Sequence, residues 1–484
     1  MARTLAWFTA IAVVCLAFAD IDITTVDPWA EFGRLALGLV TPDFTATENL
    51  LHAIAMTLAF ALLGVSLSVV LGFALALVFH IALVRGFCAV VRAVHELFWA
   101  LIFLQVFGLS PLTGILAIAI PYAGIVAKVF AEILEEADDR ALRTLPPGTG
   151  RLSALLFVRL PDVWAHYKTY ALYRLECGLR SSAVLGFVGL PTLGFHLETA
   201  FRQGNYAEAA ALLYIFYVII ATQRLWARRQ LLPLYLVAAA AILPWSSAIS
   251  GANIARFFTA DIVPFPLRNG EGLAGLLEWL HNLLIQQALP GTIATVQLTM
   301  IALLATGLLS ALFFPLVSPV MFGRAGRTAG HVALVVIRST PEYILAFVLL
   351  QLWGPSMLPA IVALALHNGG IIGHLVGRYT ETLTLRDDAP RGLARYGYEL
   401  LPRVYNGLLA LLFYRWEIIM RETAILGILG IATLGFYVDS AFAELRFDRA
   451  LVLIAITALL NIAIDMTSRR VRRHLRLRTT LEGR

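Results

Sequence analysis

Apolar runs of membrane-spanning length recur along this 484-residue chain, and they restrict its fold more than any single motif does. A bilayer core of ~30 Å takes about 20 residues of helix to cross. After a first run ending near Ala19, such runs stand at roughly 50–80, 93–109, 112–134, 163–189, 207–222, 231–249, 289–317, 331–353, 357–378, 404–430 and 450–467. The sequence therefore predicts an all-α polytopic membrane protein of about twelve transmembrane helices. Composition agrees: 60% of residues are apolar and 14% charged, whereas soluble domains sit nearer half and a quarter.

The chain is also written twice. Tyr173-Arg-Leu-Glu-Cys-Gly-Leu-Arg180, running on to Thr192-Leu-Gly-Phe195, reappears as Tyr414-Arg-Trp-Glu-Ile-Ile-Met-Arg421, running on to Thr433-Leu-Gly-Phe436. The offset is 241 residues and holds without a gap from Leu160-Pro161, matching Leu401-Pro402. Upstream, Arg92 to Glu96 matches Arg338 to Glu342, and Ala117 to Lys128 matches Ala363 to His374, at an offset of 246. The length difference falls in the loops before each Leu-Pro, where length change is tolerated. Internal repetition implies two like units, with a first half over 1–228 and a second over 229–484 joined at 223–230. Six spans is an even number, so the second copy enters with the orientation of the first. The halves are predicted to be two parallel six-helix repeats.

Arginine placement orients the spans. Arg85 and Arg92, Arg140 to Arg159, Arg224 to Arg229, Arg324 to Arg327, Arg378 to Arg403 and the tail from Arg469 to Arg484 fall on one side, predicted to be cytoplasmic with both termini. The net charge of +6 follows from these loops and implies lipid headgroups as the partner, not nucleic acid. Residues 20–49 are acidic, as fits the outside, and Trp29, Phe32, Leu35 and Leu39 suit a short helix on the membrane surface. Ala17-Phe-Ala19 has the form of a signal-peptide cleavage site. Retention of this segment is the reading taken, because the second half has a counterpart run at 231–249.

Few side chains carry candidate chemistry. Tyr173, Glu176 and Arg180 share one helix face, as do Tyr414, Glu417 and Arg421, and Glu four residues before Arg is the favourable order for an ion pair. Charge inside a membrane is costly and faces protein or a water path. Arg180 and Arg421 thus form either an electropositive constriction for an anion or locks between helices. Arg174 and Arg415 have no obvious local acid to pair with along the helix and are further candidates for an anion path, or snorkel. Lys128 and His374 read as anchors at span ends. Cys15, Cys88 and Cys177 have no paired spacing, His95, His196 and His367 have no metal spacing, and no catalytic triad can be assembled. No metal site and no enzyme activity are predicted. Only two lysines occur, Lys128 and Lys168, and neither lies in a phosphate-cradling Gly-Lys-Ser/Thr loop.

The loops before each Leu-Pro resemble the coupling loops of ABC importer permeases, Glu-Ala-Ala, three residues, Gly, nine residues, Ile, one residue, Leu-Pro. Gly148, Leu160 and Pro161 match and Val158 stands for Ile; in the second half Leu401 and Pro402 match, with Ala389 at the glycine position and Gly392 three residues later. The Tyr-Arg-Trp-Glu…Arg segment followed by Leu-Gly resembles the phosphonate-import permeases of that superfamily, here as two copies fused in tandem. So do Arg338-Ser-Thr-Pro-Glu342 and Ala365-Leu-His367. The glycine-rich stretch of that pattern is thinned to Gly186, Gly189 and Gly194, and to Gly427, Gly430 and Gly435. The resemblance implies a type I ABC importer permease fold in a bacterial inner membrane. These glycines would form a gate region, and separate ATPase subunits using ATP and Mg, one on each loop, would act with an extracytoplasmic solute-binding protein. The chain itself would hold no cofactor. A permease for another small solute and an ion-coupled secondary transporter are the alternatives.

Overall fold

The computed structural model describes residues 2–137, 140, 144–146, 148–228, 230–245, 250–386 and 388–477. Leu142-Arg143 of the first loop and the end of the basic tail lie outside them. The described residues form helices and connecting turns, with no strand among them. In chain order the principal helices are α1 (Ala2–Ala17), α2 (Pro28–Val40), α3 (Leu50–Leu77), α4 (Ala82–Ala93), α5 (Glu96–Phe107), α6 (Pro111–Glu136), α7 (Leu160–Val184), α8 (Leu193–Arg202), α9 (Tyr206–Ala221) and α10 (Leu232–Ile242). They continue as α11 (Gly272–Leu283), α12 (Leu289–Val317), α13 (Arg324–Ser339), α14 (Glu342–Trp353), α15 (Met357–Tyr379), α16 (Leu401–Ile428), α17 (Leu434–Ala443) and α18 (Phe447–His474).

Among the described residues, five helices are long and apolar enough to cross a membrane, and up to eight if each bent pair counts as one span; α9, α10 and most of α1 are shorter apolar helices. This is a multi-pass membrane protein. Two of the expected spans meet a break, 93–109 at its start and 331–353 within it. Each breaks by 92° between an amphipathic and an apolar helix, α4 to α5 and α13 to α14. At the first break Val94 and His95 are extended, and His95 Nδ1 accepts the N–H of Leu97 as the cap of α5. At the second, Pro341 forces the extended backbone of Thr340.

Proline leaves a second mark. Leu160-Pro161, Leu289-Pro290 and Leu401-Pro402 lie inside continuous helical paths, and each is preceded by one π-turn, at Leu155–Arg159, Leu284–Ala288 and Tyr396–Leu400. A proline removes one N–H and crowds the carbonyl four residues back, and the wider turn absorbs that defect.

Contacts divide the chain into two compact units, one of residues 37–259 and one of 1–36 with 260–484. In the first unit α10, the opening helix of the second repeat, packs along α3. In the second, α1 packs along α12, with Phe8 edge-on to Phe413 and Trp416 at 5.1 and 5.2 Å and Gln297 donating to the Cys15 carbonyl at 2.8 Å. An apolar helix face specifies no partner in sequence, so this allocation is visible only in the packing.

Inside each unit small residues let helices touch backbone to backbone. Gly369, Gly373 and Gly377 lie on α15 against α12, where a Cβ on Gly373 would stand 2.7 Å from Phe313 Cβ. The glycines that follow the repeated motif do likewise. A Cβ on Gly186 would lie 2.1 Å from Phe195 N, and one on Gly427 would lie 2.1 Å from Phe436 N. Gly194 and Gly435 press on the carbonyls of Ala183 and Ala424. Gly189 and Gly430 turn the chain between those helices at φ +89° and +91°, where side chains are disfavoured. The first N–H of α8 is donated to Thr57 Oγ1 at 2.8 Å, and that of α17 to Thr295 Oγ1 at 2.9 Å.

Gly186→Ala and Gly427→Ala, whose new methyls meet backbone, are each expected to cost about 3 kcal/mol. Gly86→Ala, in open space on α4, is expected to gain up to about 1 kcal/mol. Thermal unfolding midpoints in detergent check the contrast, and equal midpoints for the three variants would contradict it.

Candidate functional site

Each broken helix begins with a glutamate, and each glutamate is met by polar side chains from crossing helices. A carboxylate in a first helical turn is favoured by the positive end of the helix dipole. In the first unit Glu96 opens α5. Ser181 of α7 donates to its Oε1 at 2.7 Å, and the Tyr122 hydroxyl of α6 lies 2.8 Å from the same Ser181 oxygen. Because the serine proton goes to the carboxylate, Tyr122 is the donor in that second bond. His95 Nδ1 accepts from the Leu97 N–H, so its proton is on Nε2, 3.7 Å from Glu96 Oε2. Arg174 completes the cluster. Its Nε donates to the Tyr170 hydroxyl at 2.8 Å, and its guanidinium lies over the rings of Tyr122, Tyr170 and Tyr173 at 5.3, 5.2 and 5.6 Å. Such cation–π contacts help to offset the loss of water around the charge.

The second unit repeats the framework with different side chains. Glu342 opens α14. On α15, His367 brings Nε2 to 3.8 Å from Glu342 Oε2, while its Nδ1 lies 2.8 Å from the Thr340 carbonyl. Asn368 donates to Glu422 Oε2 at 3.0 Å and accepts from Arg415 at 2.8 Å through its amide oxygen. One ligand atom each from Glu342, His367 and Glu422 lie within 4.8 Å of one another, a set able to hold a cation. By the repeat alignment Glu342, His367, Asn368, Arg415 and Glu422 stand where the first unit has Glu96, Pro121, Tyr122, Arg174 and Ser181.

The residues singled out from sequence distribute as follows. Arg180 pairs with Glu176 at 3.5 Å, as the spacing suggested. Arg174 and Arg415, with no acid three or four residues away on their helices, are held by tyrosines and by Asn368. Tyr173 and Tyr414 are exposed, the latter beneath the Arg472 guanidinium at 5.5 Å. Glu417 and Arg421 are half-buried on α16. His374 is no bare anchor: its Nε2 lies 3.2 Å from His331 Nδ1. In the loops, Gly148 and Gly392 both have left-handed backbone, φ +91° and +61°. Val158 and Leu160 are half-buried, as is Leu401, whereas Pro161 and Pro402 are exposed.

The chain is 28% identical over 434 residues to the phosphate-import permease protein PhnE of Mycolicibacterium smegmatis, covering 81% of this chain and 78% of that protein. It is 29% identical over 226 residues to the phosphite transport system permease protein PtxC of Stutzerimonas stutzeri, covering 44% of this chain and 82% of the relative. A putative phosphite transport system permease protein of the same organism, HtxE, is 32% identical over 137 residues, 28% of this chain and 52% of its own. No family model and no solved structure matches. The chain is similar, over most of its length or over one half, to permease proteins of phosphate and phosphite transport systems.

The sequence pattern alone left most of the polar cluster unmarked. Glu96 and Glu342 were visible only as repeat-matched residues, and Ser181, Tyr122, Asn368 and Glu422 carried no signal. The available sign was the coincidence of polar residues at matched positions in otherwise apolar runs. A second signal lay in the loops. Leu152 and Leu393 are matched positions exposed to 66% and 86%, and Phe157 and Tyr398 are matched positions exposed to 79% and 81%.

Asn368→Ala removes both the donor to Glu422 and the acceptor of Arg415, two charge-assisted bonds, and is expected to cost about 2–3 kcal/mol. Tyr122→Phe removes one bond to a neutral hydroxyl and is expected to cost about 1 kcal/mol. Denaturation of the detergent-solubilised chain measures both, and a costlier Tyr122 variant would contradict the reading.

Proposed function

We propose that this chain is the membrane permease of an ATP-driven importer that carries a phosphonate or a related phosphorus oxyanion. The relatives' names support the substrate class, since they are import or transport permeases for phosphate and phosphite. The repeated sequence supports twelve spans as two parallel six-helix sets in a type I importer fold. The arginine-rich loops support an inner-membrane orientation with both termini in the cytoplasm.

The observation that carries the ATP-driven part is the pair of Leu-Pro loops. Each presents a large exposed apolar pair, Leu152 with Phe157 and Leu393 with Tyr398, ahead of a rigid helix. Exposed apolar side chains at matched positions are what a partner surface needs. Each loop docks one ATPase subunit, which binds ATP and Mg because this chain has no phosphate loop. Gly148 and Gly392 supply the turns, and Val158, Leu160, Pro161, Leu401 and Pro402 join each loop to α7 or α16. Motion of a loop therefore reaches the polar clusters along one helix. A solute-binding protein delivers the oxyanion from outside. Arg180 with Glu176 acts as a lock between helical turns, and Arg421 with Glu417 does the same. Arg174 and Arg415 organise the clusters. The turns around Gly186, Gly189 and Gly194, and around Gly427, Gly430 and Gly435, are the moving gate elements, hinged where packing is tightest.

Purified from native membranes in mild detergent, the chain is expected to bring two ATPase subunits per copy. The Leu152→Glu, Leu393→Glu double variant, with unchanged elution volume, is expected to lose them. An absence of any ATPase with the parent chain, or an undiminished ratio in the double variant, would contradict the reading.

A further inference from the structure

The cluster of Glu342, His367 and Glu422 differs in kind from its first-unit counterpart. Glu96, Pro121 and Ser181 offer one carboxylate and no imidazole at the matched positions, and their hydrogen bonds run from neutral donors toward that carboxylate. In the second unit two carboxylates and an imidazole converge from three helices, α14, α15 and α16, with one ligand atom from each inside a 4.8 Å span. His367 and Glu422 are buried and Glu342 is mostly so. Carboxylates brought together away from water repel one another unless positive charge lies between them.

The orientation of the histidine fixes which ring nitrogen faces the carboxylates. The Thr340 carbonyl can only accept, so Nδ1, at 2.8 Å from it, carries the proton. Nε2 is then the nitrogen turned to the carboxylates, with Glu342 Oε2 3.8 Å away. An imidazole that donates one N–H to a backbone carbonyl and presents the other nitrogen is the arrangement of a metal-ligating histidine. Glu422 has matching support: Asn368 donates to it at 3.0 Å and is itself held through its oxygen by Arg415 at 2.8 Å. Ligating carboxylates are oriented by such outer hydrogen bonds.

From this geometry we infer that Glu342, His367 and Glu422 bind one divalent transition-metal ion of the manganese-to-zinc class. One nitrogen and two carboxylate oxygens suit these ions, whereas calcium and magnesium sites are built from oxygen. Ligand atoms around a tetrahedral ion at about 2.0–2.2 Å stand roughly 3.3–3.6 Å apart, so side-chain rotations of about an ångström close the set. The ion ties the start of α14, just past the 92° break, to α15 and α16. It fixes the hinge at Thr340–Pro341, and the stoichiometry is one ion per chain because the first unit lacks two of the three ligands. The inference is independent of which solute the permease carries.

The test uses the full chain in detergent, stripped with a chelator, titrated calorimetrically with Mn²⁺ and with Zn²⁺, and followed by visible absorption with Co²⁺. One equivalent per chain is expected, with a cobalt spectrum showing nitrogen and oxygen ligation. His367→Ala and Glu422→Gln are each expected to weaken binding at least about 100-fold, and Asn368→Ala about 10-fold. Glu422→Ser installs the side chain that the first unit uses at this position, so it guards against a folding defect in the other variants; its helical circular dichroism and elution volume are to match the parent. Absence of saturable binding at millimolar metal overturns the site. Binding that survives in His367→Ala, Glu422→Gln and Glu422→Ser alike also overturns it, assigning the metal to surface groups.

Discussion

A carboxylate at the start of a half-helix, away from water, is the constraint around which each unit is arranged. The 92° breaks before Glu96 and Glu342 expose helix-start N–H groups and place a negative charge where the helix dipole favours it. That charge still requires partners in a low-dielectric setting. The partners come from the next helix and from the helix that follows the Leu-Pro loop: Tyr122 and Ser181 in one unit, His367, Asn368 and Glu422 in the other. Bringing those helices close enough needs small residues at the crossings. Gly178 of α7 seats that helix on α3, where a Cβ would meet Val65 at 2.3 Å, and Gly373 seats α15 on α12 in the same way.

Helical class, repeat and Leu-Pro loops were legible because each leaves a pattern in consecutive residues. The breaks were not, since 93–109 and 331–353 read as continuous apolar runs. Pro341 is a sequence sign of a break, but its partner His95 is not, and acts only through a capping bond to Leu97. The clusters join residues as far as 25 positions apart, as His367 with Glu342, or 85, as Ser181 with Glu96. No spacing rule reaches that far. The glycines after the repeated motif were read as a gate from resemblance; their geometry adds a packing reason for Gly186, Gly194, Gly427 and Gly435 that holds whether or not they move.

The two units keep one backbone plan while changing its chemistry. Where the first has a tyrosine, a serine and a proline, the second has an amide, a carboxylate and an imidazole. The first cluster runs neutral donors to one carboxylate, with the Arg174 cation over its tyrosines; the second gathers two acids and an imidazole, with Arg415 acting through Asn368.

The central claim is that this one chain supplies the whole membrane path of an ATP-driven importer. Uptake of a radiolabelled phosphorus oxyanion into proteoliposomes holding this chain, its ATPase and its binding protein, with no second permease, tests it most directly. The account predicts accumulation that requires ATP on the ATPase side and persists when ion gradients are collapsed. Accumulation that needs an ion gradient and ignores ATP, or that begins only when another permease chain is added, would contradict it.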